Sequence, residues 1–225
     1  AVLLVMILTG TTMAWVPLYN EFTGAGDGTS WDDIDNWNHG YTPTTEQLAL
    51  LDSSAPNVQF NMTYSVGGIE MGRNSGGSKL SINGGTLDAS YLGGKYISIG
   101  HLAGNSSELV LNDGDVTAYN LHSGFYGIGT FNMNGGTLLC ENAFSIATKS
   151  GASGVANLYD GAVTTKLLLL GAGGGPATLN IEGGTMVLDR PDLIGNDEDW
   201  GDLKDIIAAH IDEDRIVAYN GWSGA

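Results

Sequence analysis

The chain is short of cysteine, of basic residues and of long hydrophobic runs, and each shortage excludes something. One cysteine in 225 residues, Cys140, cannot close an intrachain disulfide, so the fold must hold by packing alone. Eight Lys and Arg against 25 Asp and Glu give a net charge of −17. Nucleic acids and anionic membrane surfaces need basic footprints, so neither is an expected partner. The apolar run Ala1–Leu8 is too short to cross a bilayer, and no integral membrane span is expected in the mature chain. His39, His101, His122 and His210 are scattered without metal-ligand spacing, and no nucleophile-elbow, P-loop or dinucleotide fingerprint occurs.

What the chain has in quantity is glycine, 35 residues without a strict triplet period. The glycines punctuate a recurring octet: SINGGTLD (Ser81–Asp88), VLNDGDVT (Val110–Thr117), NMNGGTLL (Asn132–Leu139), NLYDGAVT (Asn157–Thr164) and NIEGGTMV (Asn180–Val187). Aligning the second residue of each GG or DG pair puts Gly85, Gly114, Gly136, Gly161 and Gly184 in one column. Apolar residues then fall into register on both sides. Three positions earlier stand Ile82, Leu111, Met133, Leu158 and Ile181; five earlier, Leu80, Leu109, Phe131, Ala156 and Leu179; two later, Leu87, Val116, Leu138, Val163 and Met186. Apolar residues two apart around a turn mark short strands with one buried face.

A second apolar pair precedes each octet: Ile69/Met71, Ile97/Ile99, Tyr126/Ile128, Phe144/Ile146 and Leu168/Leu170, with Gly72, Gly100, Gly129, Ala147 and Gly171 next in the chain. One repeat is therefore about three short strands. A single coil cannot bury its own apolar face, whereas stacked coils share a continuous core. The expected fold is all-β, a single-stranded parallel β-helix of five or more coils. Asn83, Asn112 and Asn134 share one outward column, and Asn132, Asn157 and Asn180 another, where amides can hydrogen-bond along the stack or form a sugar-binding strip. Cys140 aligns with Ala89, Ala118, Thr165 and Leu188, which predicts a buried, inert thiol.

The ends read differently. Residues 1–14 have the hydrophobic stretch and small-x-small ending of a signal peptide lacking its basic start; a buried or added first strand is the other reading. Residues 15–48 read as an N-terminal cap with Trp31 and Trp37, residues 49–190 as the solenoid, and 191–225 as a C-terminal cap. In that last segment Leu203, Ile206, Ile207, His210 and Ile211 predict an amphipathic helix near 201–213, with a strand after it at Ile216–Tyr219. Both caps would protect edge strands from pairing with other chains.

The NGGTL-type units resemble autotransporter-associated and other bacterial surface β-helix repeats. The opening GDGTSWDDIDNW…TP is similar to the segment that introduces such repeats in exported planctomycete- and verrucomicrobia-type proteins. The closing GGTMVLDR…DLKDIIAAHIDEDRIVAYNGWSG resembles the place where they end before a linker and a sorting segment. The resemblance covers residues 22–222 and implies a secreted or cell-surface location. No hydrophobic anchor occurs before Ala225, so it is either absent or lies beyond this stretch.

Three constellations could carry chemistry. Asp113 and Asp160 share a repeat position and could act as an acid–base pair on a glycan, but Asp before Gly is also turn chemistry. Arg73, Lys79, Lys95, Lys149 and Lys166 form no column beside paired acids, as a lyase would need. Asp27, Asp32, Asp33 and Asp35 are calcium candidates, as are Asp197, Glu198, Asp199 and Asp202; a solvated acidic cap is the alternative, and no other cofactor is implied. The stacking candidates for a saccharide are Tyr91, Tyr96, Tyr119 and Tyr126. The expectation is a structural or adhesive surface protein with no catalytic residues of its own, whose partners are extracellular polysaccharide or other surface components. The alternative is a β-helix that binds or degrades polysaccharide.

Overall fold

The computed structural model describes residues 18–53, 55–90, 96–189 and 216–218. Residues 1–14, read above as a signal peptide, and residues 201–213, expected as a helix, lie outside the described residues. The described strands stack as a parallel β-solenoid of about six turns. The first strands are β1 (Tyr19–Glu21), β2 (Leu48–Leu51), β3 (Val58–Phe60), β4 (Thr63–Ser65) and β5 (Gly68–Met71). The middle coils contain β6 (Ser78–Ala89), β7 (Tyr96–Ile99), β8 (Ser106–Ser123), β9 (Ile128–Met133) and β10 (Thr137–Ile146). The last are β11 (Ser153–Leu158), β12 (Ala162–Leu170), β13 (Ala177–Ile181), β14 (Thr185–Leu188) and β15 (Ile216–Ala218). Every ladder between these strands is parallel.

Three faces result. Face A stacks β1, β2, β5, β7 and the ends of β8, β10 and β12. Face B stacks β3, the starts of β6 and β8, then β9, β11, β13 and β15. Face C stacks β4, the second half of β6, the middle of β8, the start of β10, the start of β12 and β14. The long strands simply run through corners. The segment expected as a strand at Ile216–Tyr219 appears as β15 and extends face B.

The interior column expected from the octets is present rung by rung. Ile82 pairs with Leu111, Leu111 with Met133, Met133 with Leu158 and Leu158 with Ile181. The first four are buried, and Ile181 packs against the same core. Such a column keeps its register because a one-residue slip would turn a coil's whole apolar set outward. The glycine column has a steric cause as well. Gly85, Gly114, Gly136 and Gly161 all have left-handed φ, from 75° to 93°. A Cβ at Gly114 would lie 2.5 Å from the Gly85 carbonyl oxygen, and one at Gly161 2.6 Å from that of Gly136. Each corner leaves no room for the next one to carry a side chain.

One sequence alignment is corrected. The face-A partners of Ile97 and Ile99 are Leu121 and Ser123, not Tyr126 and Ile128, and the corner glycine is Gly124, not Gly129. Tyr126 and Ile128 are exposed. Ser123 hid the true pair because a hydroxyl breaks the apolar pattern, yet it is fully buried and donates to the Val155 carbonyl at 2.8 Å. Ala147 holds the same corner with φ 55°, the one non-glycine with positive φ among the described residues.

The N-terminal cap closes the core with aromatic rings. Trp37 meets Phe22 and Trp31 edge-on, and Trp31 meets Phe60 of the first coil, with centroids 4.9–5.5 Å apart. All four are buried, and Trp37 Nε1 donates to the Trp31 carbonyl at 2.8 Å. A one-turn 3-10 helix, Ile34–Asn36, places Asn36 beneath the loop.

Candidate functional site

On face A the outward positions of the middle coils are covered as well, although the column ends at the exposed Leu169. Glu70, Ser98, His122 and Ser145 occupy one outward column, in successive coils, and all four are buried. Phe125 lies 5.3 Å from His101, 5.4 Å from Tyr96 and 4.9 Å from His122, ring centre to ring centre, and forms the cover. Lys149 extends over Phe125. Beneath it, Glu70 is paired with Arg73 and accepts from the Tyr96 hydroxyl at 3.2 Å. Burial, reinforced by Glu70, pushes the Tyr96 phenol up to about 12. Burial also lowers both imidazoles, His122 to about 4 with Lys149 and His101 adding to the effect.

Ser98, His101 and Glu70 have the connectivity of a hydroxyl–imidazole–carboxylate relay. Ser98 Oγ lies 2.8 Å from His101 Nδ1, and His101 Nε2 lies 4.0 Å from Glu70. A nucleophile must reach a substrate, however, and Ser98 has no exposed surface. Glu70 is already held by a guanidinium and a phenol. The arrangement therefore satisfies buried polar groups and locks the cover to the sheet; it does not present a reactive hydroxyl.

Face B is open and carries the asparagine ladders. Asn180 donates to Asn157 at 2.6 Å, Asn157 to Asn132 at 2.7 Å, and Asn132 to Glu108 at 2.7 Å. Glu108 is in turn 3.0 Å from Lys79. A second ladder runs from Asn134 to Asn112, from Asn112 to Asn83, and from Asn83 to Gln59, at 2.7–2.8 Å. Two shallow depressions flank the first ladder. One, of about 450 Å³, is lined by Ser78, Lys79, Ser107, Glu108 and Thr130 among others; the other, of about 230 Å³, by Asn157, Tyr159, Asn180 and Glu182.

The sequence candidates fare unevenly. Asp113 and Asp160 play one turn role, each accepting from the next glycine N–H at 2.7 Å, which is how two aspartates two coils apart share a position. Asp27 accepts from Thr29, Ser30 and Asn36, and the Ser30 hydroxyl bond leads the effects that hold its carboxyl below the ordinary range. Asp33 accepts from the backbone of Asp27 and Asp35, while Asp32 and Asp35 are exposed. Among the described residues no three His, Cys, Asp or Glu side chains converge to hold a metal ion. Asp197, Glu198, Asp199, Asp202 and Tyr91 lie outside the described residues. Among the described candidates, Tyr96 stacks on Phe125 within the sealed cluster, Tyr126 packs edge-on against the same ring, and Tyr119 is half-buried. Cys140 is buried, and desolvation pushes its thiol up to about 12.

Sequence reasoning missed the face-A cluster: Glu70 and His122 share a column with the serines Ser98 and Ser145, and His101 and Phe125 lie in loops outside the repeat pattern. It also missed Tyr159, whose signal was available: it stands where three earlier coils place asparagine. Among the described residues no helix is long and apolar enough to cross a membrane. No family model, curated protein or solved structure matches the chain.

Proposed function

We propose that this chain is a structural or adhesive solenoid of the cell exterior, secreted or surface-attached, and that it works by presenting its outer faces rather than by catalysis. The observation that carries this reading is the contrast between sealed reactive groups and displayed polar rungs. Ser98, His101, Glu70 and Cys140, the side chains most suited to acid–base or nucleophilic work, are all buried, whereas the amide ladders line an open face. The strongly acidic composition and the signal-like start fit an exported chain. A stacked core also suits a rigid spacer, because each coil is held by both neighbours.

The test is localisation in the source cell. Brief protease treatment of intact cells, with mass spectrometry of the released peptides and of the medium, should recover peptides from residues 22–188 outside the cell. Recovery solely from the cytosolic fraction would overturn the reading.

A further inference from the structure

The outward column two positions before the repeat glycine reads Asn83, Asn112, Asn134, then Tyr159 and Glu182. The first three rungs are joined by amide hydrogen bonds. The fourth coil breaks the series. An asparagine there would extend the ladder by a bond whose net value is about 1 kcal/mol. Instead the coil carries a phenol ring that is 46% exposed. Among the described residues its side chain makes no ring contact or hydrogen bond, unlike Tyr41, Tyr96 and Tyr126. Packing does not explain this tyrosine. Its position does suggest a use, because it forms one wall of the 230 Å³ depression whose other walls are Asn157, Asn180 and Glu182.

We infer that this depression binds a neutral saccharide, with the Tyr159 ring stacking on the C–H face of a sugar and the ladder amides meeting its hydroxyls. Each part of the chemistry matches. An aromatic ring offers a negative π face to the weakly positive C–H groups of a pyranose. Each asparagine amide has two N–H donors and two acceptor lone pairs, and one ladder bond on each side leaves a donor and an acceptor for a ligand. The ladder also fixes the amides before binding, so little side-chain entropy is lost. The rail Lys79–Glu108–Asn132–Asn157–Asn180 continues across five coils to the 450 Å³ depression, so an extended glycan can lie along the axis. An acidic glycan is disfavoured, because the lysine on the rail is already paired with Glu108 and the chain carries −17.

This inference concerns a ligand of the displayed face proposed above, and it can fail alone. The experiment is calorimetric titration of the full chain with cello-, laminari-, manno- and xylohexaose, and with polygalacturonate as the acidic control. At least one neutral hexasaccharide should bind, with a Kd on the order of 1 mM or tighter. Tyr159→Ala should weaken it about tenfold or more, Tyr159→Phe should retain it, and Tyr41→Ala should leave it unchanged. Tyr159→Asn completes the amide series, so it should melt no lower than the parent chain yet lose the saccharide, which separates binding from folding. Absence of binding by all four neutral glycans, preference for polygalacturonate, or undiminished binding by Tyr159→Asn would each overturn the inference. An extracellular chain that binds none of them would leave the structural reading standing; a cytosolic chain that binds would do the reverse.

Discussion

Faces A and B are built from strands of the same solenoid, yet in the middle coils face A covers its outward charged and polar residues while face B displays its asparagines. On face B burial alternates along β9 and β11, and in β11 Gly154, Ala156 and Leu158 are buried while Val155 and Asn157 are partly exposed; in the earlier coils the outward Ser81 and Val110 are buried as well. On face A, β2 and β5 are buried at every position, and β7 at every position but its first. The interior columns are equivalent. The difference lies in the loops, because those leaving the face-A strands fold back and cover the sheet with Phe125, His101 and Lys149. Alternation identifies the side of a strand that faces the core, but it does not reveal whether the other side faces water.

The comparison would break first in the interior. Leu111→Asp on face B and Ile97→Asp on face A should each cost more than about 4 kcal/mol by chemical denaturation, because either buries an unpaired carboxylate between coils. Asn112→Asp, beside the first but facing outward, should cost less than about 1 kcal/mol. Unequal interior costs would mean that the two faces do not share one core.

The outward positions sharpen the contrast. Glu70→Ala should cost about 3 kcal/mol, since it strips Arg73 and Tyr96 of a shared buried partner. Asn132→Ala on the open face should cost about 1 kcal/mol, measured the same way. Equal losses would remove the distinction between a sealed and an open face.

Acid should act on face A selectively. His122 is held to about 4 in the folded chain against an ordinary 6.5, so the unfolded chain takes up its proton first. Stability is then full above pH 6.5, declines as pH falls toward 4, and levels off for this group below that, with a total loss of up to about 3 kcal/mol. His122→Gln should flatten the thermal-melting profile in that window. A His122→Gln chain with the parental slope would place the acid sensitivity elsewhere. The smallest effect is expected at the corner. Ala147→Gly relieves a left-handed alanine but loses a buried methyl and adds backbone entropy, so its melting free energy should stay within about 1 kcal/mol of the parent.

Legibility in the sequence divides along the same line. The interior of faces B and C was legible because Leu, Ile, Val and Met recur at fixed distances from glycines that sterics make irreplaceable. The face-A column became unreadable at Ser123, a buried hydroxyl satisfied by a carbonyl 32 residues away, which no local period encodes. The Phe125 cover was invisible for a related reason: its contacts come from strands and loops of different coils, Tyr96 and His122 from β7 and β8 and His101 and Lys149 from loops. The amide ladders were visible as columns because parallel stacking makes identical residues neighbours. Tyr159 was visible only as an exception to its column, and an exception acquires meaning once the asparagines around it are known to be bonded.

Strand register underlies both faces, and paired spin labels read it directly. Asn132 and Asn157 are lateral partners, so their Cα atoms should be one strand spacing apart, about 4.8 Å. The chain's own thiol does not interfere, because Cys140 is buried and its ionisation suppressed. Nitroxides on Asn132→Cys and Asn157→Cys together should show strong spin–spin broadening, while Asn132→Cys paired with Thr164→Cys on face C should show far less. A doubly labelled 132/157 chain whose spectrum equals the sum of its two single-label spectra would contradict the stacked register and, with it, the solenoid.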